Sequence, residues 1–341
     1  MVTTRDIAEH LQLSVSTVGR ALSDDHRISA QTKFRVRQAA AEMGYVANRA
    51  ARMMRGVSSN MVGLVIPDIR NSFYATIAHE LSKNMESQGY QLMLAETDDD
   101  RIVELRHLRE MSASRVAGVI IVPTARSHGE SIKLLRDIPH VQLLRRNTGL
   151  GEQWFGVDDQ EALRQATAHL IERGHTRIGY IGGPTELPTG NERVKGFRAA
   201  LKENKLPASA AIVEFAPPSS VEYGREAVRR LLSSSPKPTG IVVGSVQLTI
   251  GVLEELFHQG IEVPKELSVV GFGDQPGFSW WGPGLTTISL PIEDMAAACG
   301  LWLIHRLTKP GEDGAYISVS PGTLIVRGST ATAPKTSRRK S

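Results

Sequence analysis

Residues 2–22 read VTTRDIAEHLQLSVSTVGRAL, and this stretch decides the fold of the N-terminal part. Ile7, Ala8 and Leu11 fall on one face of a first helix, and Val18 and Leu22 on one face of a second. Leu13, in the turn, can seal the two together. Thr3 and Asp6 have capping-box spacing, so that the threonine oxygen and the aspartate carboxylate satisfy free N–H groups at the helix start. Ser14 is placed to cap the second helix. Val15, Ser16 and Arg20 are then left pointing outward, small enough or long enough to reach base edges from a helix lying in a DNA groove.

Working outward, Ser29 can cap a third helix running to Met43, with Val36, Ala40 and Met43 facing inward and Gly44 as its stop. Residues 1–46 therefore read as an all-α helix-turn-helix head. Asn48 can cap a short segment, RAARMMR (49–55), whose arginines suit a phosphate backbone. Met53 and Met54 are apolar with no obvious core nearby, and 47–59 is assigned as a short helix and linker.

Charge agrees with this division. The 341 residues carry a net +4. Residues 1–58 hold nine Lys/Arg against five Asp/Glu, and the tail after Thr330 adds Lys335, Arg338, Arg339 and Lys340, so the middle is net acidic. Positive charge at the head is where phosphate contacts would be made. Residues 331–341 read as a disordered basic tail. The one cysteine, Cys299, sits in apolar MAAACGLWLI and reads as a buried thiol. It excludes an intrachain disulfide framework and fits a reducing cytoplasm. No apolar run has the length of a membrane span, and no N-terminal stretch reads as a signal peptide.

From Met61 the pattern changes. MVGLVIPDI is a short apolar run followed by the helical stretch FYATIAHELSKNMESQGY, the strand QLMLAET, a helix over 100–112 and the strand AGVIIVP. After Val157 the alternation repeats: helix 160–173, RIGYIGG, helix 191–204, AIVEF, helix 221–232, TGIVVG, helix 246–259 and LSVVGF. Continuous apolar strands alternating with helices predict parallel sheets covered on both faces, in two similar lobes. The first lobe is expected at 60–157 and 288–316, the second at 158–287 and 317–330. A ligand belongs in the strand-to-helix loops at the carboxyl ends of the strands.

With the head, linker and lobes in place, the chain resembles the lactose-repressor/galactose-repressor (LacI/GalR) family of bacterial transcription regulators. The resemblance runs from Val2 to Thr330 and is carried by TTRDIAEHLQLSVSTVGRAL, RISAQTKFRVRQAAAEMGYVAN, VGLVIPDIRNSFYATIAHEL, HLIERGHTRIGYIGG, NERVKGFRAAL, VPKELSVVGFGD, LTTISLPIEDM and LIVRGST. It implies a cytoplasmic homodimer binding palindromic double-stranded operator DNA, with a periplasmic-binding-protein-like core and a small-molecule effector between the lobes. By this likeness Val15, Ser16 and Arg20 read bases, Ser14 and Thr17 touch phosphate, and Thr4 also contacts the DNA. Asn48, Arg49, Met54 and Arg55 belong to a hinge helix whose Met54 wedges into the minor groove; packing of Met53 and Met54 on the head is the other reading.

The effector residues implied are Asn71, Phe73, Arg145, Arg193, Ser245 and Asp274, with Phe73 serving equally well as core. The chain departs from the family's usual pattern at Ser245-Val246, Gly273-Asp274 and Leu144, where acidic or amide side chains are common. Retained arginines beside lost acids shift the expected effector from a sugar towards a sugar acid or sugar phosphate. A regulator that binds DNA without any ligand is the alternative. Trp280 and Trp281 are placed at the dimer interface rather than on the ligand. No enzyme is expected: GYIGGPTELPTG does not fit a dinucleotide fingerprint, the ten histidines show no metal-ligand spacing, and neither cofactor nor metal is implied.

Overall fold

The computed structural model describes residues 2–45, 59–215, 220–309, 311 and 315–334. The chain divides into two units, residues 1–59 and 60–341. In the first, α1 (Thr4–Leu11), α2 (Val15–Leu22) and α3 (Ala30–Glu42) enclose Ile7, Ala8, Val18, Ala21, Val36, Ala39 and Ala40, with Leu11, Leu13, Leu22 and Met43 against them. The Thr3/Asp6 capping box is present: the Asp6 N–H donates to Thr3 Oγ1 and the Thr3 N–H to Asp6 Oδ2 at 2.7 Å. Gln12 adopts a left-handed conformation that ends α1, and Ser14 Oγ accepts from the Thr17 N–H at 3.1 Å to start α2. Ser29 caps α3 in the same way, and Gly44, at φ +66°, ends it. The assigned hinge segment (Asn48, Arg49, Met53, Met54, Arg55) and the basic tail from Lys335 lie outside the described residues.

The second unit opens with β1 (Met61–Ile66), α4 (Ser72–Ser87), β2 (Gln91–Glu96), α5 (Arg101–Ala113), β3 (Gly118–Ile121), α6 (Gly129–Arg136), β4 (His140–Leu143) and β5 (Trp154–Val157). It continues through α7 (Asp159–Glu172), β6 (Ile178–Gly182), α8 (Pro188–Glu203), β7 (Ala211–Phe215), α9 (Val221–Ser233), β8 (Gly240–Val243), α10 (Val246–His258), β9 (Ser268–Phe272) and β10 (Thr286–Ser289). It closes with α11 (Ile292–Thr308), β11 (Ile317–Ser320) and β12 (Thr323–Ile325). Two six-stranded sheets result, ordered β11-β5-β4-β3-β1-β2 and β12-β10-β9-β8-β6-β7. All their pairings are parallel except β10 with β12.

Two lobe boundaries differ from expectation. Ile317–Ser320 pairs with Trp154–Val157, so this segment belongs to the first sheet and not the second. Pairing there covers the backbone edge that β5 would otherwise expose. Thr286–Ser289 lies wholly in the second sheet. The chain therefore crosses between lobes at 157–159, near 290–292 and at 320–323. The order of both sheets reverses beside their first strands, β1 and β6, placing the loops after β1, β3, β6 and β8 at the switch points where open α/β sheets bind ligands.

Candidate functional site

The head presents one polar face. Val18 and Ala21 are buried, which turns Val15, Ser16 and Arg20 to the opposite side of α2, where all three are exposed. Val15 is an apolar side chain left 46% accessible at the first position of the helix. The Ser14 hydroxyl lies 2.9 Å from Ser16 Oγ and 2.8 Å from Thr17 Oγ1, so the helix start carries three clustered hydroxyls beside free N–H groups. Arg20 has no ion pair among the described residues, unlike Arg27 and Arg37, which bind Asp25 and Asp24. Thr4 begins α1, half-buried.

Between the lobes is a small cavity of about 60 Å³, lined by Asn71, Phe73, Tyr74, Leu144, Arg145, Thr189, Arg193, Ser245, Val246 and Phe272. Each comes from the carboxyl end of a strand or the start of a helix. Asn71 caps α4 by accepting from the Phe73 N–H at 3.1 Å, and Ser245 caps α10 by accepting from the Leu248 N–H. Phe73 is both wall and core: it is buried and meets Tyr74 edge-on at 5.7 Å.

The two arginines are already paired. Arg145 is buried and bound by both carboxylate oxygens of Asp99, with Nη1 also donating to the Pro123 carbonyl. Arg193 Nε donates to Asp159 Oδ1 at 2.7 Å, Nη1 donates to the Gly244 carbonyl at 2.8 Å, and the guanidinium lies 4.0 Å over the Phe272 ring. Burial pushes the Asp159 carboxyl upward against the pull of Arg193, and burial likewise raises the Tyr74 phenol. Across the mouth, Ser72 Oγ of the first lobe donates to Gln275 Oε1 of the second at 2.6 Å, fastening the lobes together.

A family model described as bacterial regulatory proteins, lacI family, matches residues 3–48, and a periplasmic binding protein-like domain matches residues 167–330. The ribose operon repressor of Halalkalibacterium halodurans is 30% identical over 330 residues, covering 97% of each chain. The chain belongs to the LacI family. Of solved structures, the lac repressor dimer bound to operator and the anti-inducer ONPF superposes with a TM-score of 0.83. At 22% identity, over 97% of this chain and 99% of that one, it shows the fold. The transcriptional regulator CelR in complex with cellobiose gives a TM-score of 0.72 at 27% identity, covering 96% of this chain and 100% of that one. The LacI-family relatives are transcriptional repressors, not enzymes, and this chain is a DNA-binding regulator. No helix among the described residues is long and apolar enough to cross a membrane.

The LacI-family cleft corrects two expectations. Asp274 stands outside the cavity, because Arg327 holds its carboxylate through two hydrogen bonds of 2.8 Å. The expected surplus of arginine charge is also absent, since Asp99 and Asp159 neutralise Arg145 and Arg193. Asn71, Phe73, Arg145, Arg193 and Ser245 do share the one cavity. Asp99, Asp159, Tyr74, Thr189 and Phe272 were missed. The run Asp98-Asp99-Asp100 was a usable signal. Asp98 and Asp99 take positive φ, which aspartate tolerates, and turn the chain. Asp99 then holds Arg145, and Asp100 caps α5. Trp280 and Trp281 lie away from this cavity, in a patch with Phe257 and Phe278.

Proposed function

We propose that the protein is a homodimeric, cytosolic repressor that binds a palindromic operator through α2 and is controlled by an uncharged sugar in the interlobe cleft. The observation that carries the choice of ligand is the pair of internal ion pairs, Arg145–Asp99 and Arg193–Asp159. An anion would meet two guanidiniums whose charge is already balanced by carboxylates in their own ion pairs. A sugar hydroxyl both donates and accepts, so it matches a site lined by guanidinium groups together with the amide and hydroxyl side chains of Asn71, Tyr74, Thr189 and Ser245. Phe73 and Phe272 form the apolar part of its wall. A ribose operon repressor and a cellobiose complex among the relatives support a neutral effector. Ligand would bias the lobe arrangement and hence the population able to grip DNA. Arg20, Val15 and Ser16 supply base contacts, and Ser14, Thr17 and Thr4 contact the DNA backbone.

The test is a thermal-shift and calorimetric screen of the purified protein against ribose, glucose, gluconate and ribose 5-phosphate, with the Arg193→Ala variant alongside. The expected result is a melting-temperature rise with a neutral sugar that Arg193→Ala abolishes while DNA binding persists. Binding confined to gluconate or ribose 5-phosphate would overturn the neutral-sugar assignment. Binding unaffected by Arg193→Ala would overturn the pocket.

A further inference from the structure

The head is nearly neutral for a domain that binds DNA. Residues 2–45 hold six Lys/Arg against five Asp/Glu, and three of those six cations are tied to two acids in the turn between α2 and α3. Arg27 grips Asp25 with two parallel bonds, Nε to Oδ1 at 2.9 Å and Nη2 to Oδ2 at 2.6 Å, and its own N–H donates to Oδ1 at 2.9 Å. Asp24 Oδ1 accepts from Arg37 Nη2 at 2.7 Å and stands 3.1 Å from Lys33 Nζ. Hydrogen bonds from the Arg27 side chain and N–H hold the Asp25 carboxyl well below the usual carboxylate range. The backbone of the turn does not ask for these acids. Asp24, at φ +59°, is the left-handed residue following the C-cap of α2, a place that glycine fills without a charge. The Asp25 N–H donates to the Arg20 carbonyl at 3.1 Å, so the turn closes directly on the helix that carries the exposed Arg20. A helix lying in the major groove is flanked by phosphates, and a turn at its end faces one of the two backbones.

We propose that Asp24 and Asp25 are specificity-determining residues that stand in for DNA phosphates, holding Arg27, Arg37 and Lys33 on a wrong sequence and giving them up on an operator. The inference rests on the reading of α2 as the helix that contacts the operator. A carboxylate offers a guanidinium the same two-oxygen edge as a phosphate, so the exchange keeps the bonding geometry. The Arg27 side chain is 62% exposed and the Arg37 side chain 57%, and ion pairs at that exposure contribute little to folding, which leaves them free to serve recognition. On a random duplex the neutralised turn displaces few counterions, and its carboxylates repel the neighbouring phosphates. On the operator, base contacts from α2 fix the head where the cations can trade carboxylate for phosphate. The two acids therefore weaken binding to every sequence, but most where no base contact offsets them. That lowers affinity for the random sites that compete with an operator in large excess.

The test measures binding of the full-length protein by fluorescence anisotropy, using a duplex that the wild type selects from a random pool and a scrambled duplex of the same length. Salt is varied between about 50 and 200 mM. Asp25→Asn and Asp24→Asn keep the shape of each side chain, and asparagine also tolerates the left-handed turn. The expected result for Asp25→Asn is several-fold tighter binding to the scrambled duplex, a smaller gain on the selected one, and a salt slope steeper by about one phosphate contact on scrambled DNA. Asp24→Asn moves all three in the same direction. Asp25→Glu, which keeps the charge, retains the wild-type slope, and the gain vanishes in Asp25→Asn/Arg27→Gln. Unchanged slopes and affinities in both Asp→Asn variants, an equal gain on the two duplexes, or weaker binding to the selected duplex alone each overturns the proposal. Loss of sequence preference in Arg20→Ala alongside inert Asp→Asn variants overturns it and leaves α2 as the reading helix. An inert Arg20→Ala overturns the placement of α2 and this inference with it.

Discussion

Arg20 is the most consequential exposed side chain of the head. Its guanidinium carries no ion pair among the described residues and so is free for a bidentate guanine contact. Arg20→Ala should cost about 1–3 kcal/mol of discrimination at one base pair, read by comparing selected and scrambled operators at fixed salt. Equal loss on both sequences would make Arg20 a phosphate contact instead. A second residue-scale prediction concerns His169. Arg173 Nη1 lies 3.3 Å from His169 Nδ1, and Thr330 Oγ1 lies 2.9 Å from Nε2. Because arginine only donates, the ring must accept at Nδ1 and carry its proton on Nε2. Burial first, then the charges of Arg173 and His175, lower its pKa to about 4. Below about pH 6.5 the unfolded chain takes up a proton that the folded one refuses. Stability should therefore fall as pH drops from 6.5 towards 4, by at most about 1.4 kcal/mol per pH unit, and should be flat above that window for this group. Melting curves of His169→Gln should be flatter than wild type between pH 6.5 and 5. At this scale the sequence disclosed the donors of the cleft better than their acceptors. Arg193 sits in a recognisable NERVKGF run, but its partner Asp159 is 34 residues away, and Asp99 looks like any loop aspartate until Arg145 meets it. Asp274 was legible as an acid beside a strand end, but not as the partner of Arg327.

Elements place these side chains through close helix contacts. A Cβ on Gly196 of α8 would stand 1.9 Å from the Gln160 carbonyl oxygen and 3.0 Å from the Arg164 nitrogen of α7. Both obstacles are backbone and cannot swing aside. This contact holds α8 against the start of α7, where Arg193 reaches Asp159. Gly196→Ala should cost about 1–3 kcal/mol by overpacking and loosen that pair. Urea unfolding together with sugar titration would show it, and unchanged stability with unchanged sugar affinity would refute it. The long periodic helices and continuous strands were readable from residue patterns. The stretch 124–156 was not: α6 has eight residues, and β4 and β5 four each, too short to show a period. The return of β11 to the first sheet was hidden for a different reason. A strand's pairing partner is set by which sheet edge lies open, not by its own four residues.

For the whole molecule, the second lobe carries an exposed aromatic patch. Phe257 and Trp280 are 76% and 77% exposed, and they share an apolar patch with Trp281, Phe278, Leu253 and Ile250. Exposed aromatics grouped in this way mark association surfaces. If the proposed homodimer forms through this patch, the double variant Phe257→Ser/Trp280→Ser should sediment as a monomer and lose high-affinity operator binding, because one head alone would contact one half-site. A variant that remained dimeric would move the interface elsewhere. The pinned arginines of the cleft have a thermodynamic side as well. Immobilising a long side chain on binding costs about 0.5–1.5 kcal/mol, and a site that freezes its side chains only when ligand arrives must find that from its contacts. Here Asp99 and Asp159 have already frozen the two longest ones. Ordering entropy has been settled during folding, so small rearrangements of a sugar's hydroxyl groups should translate almost undiluted into differences in residence time.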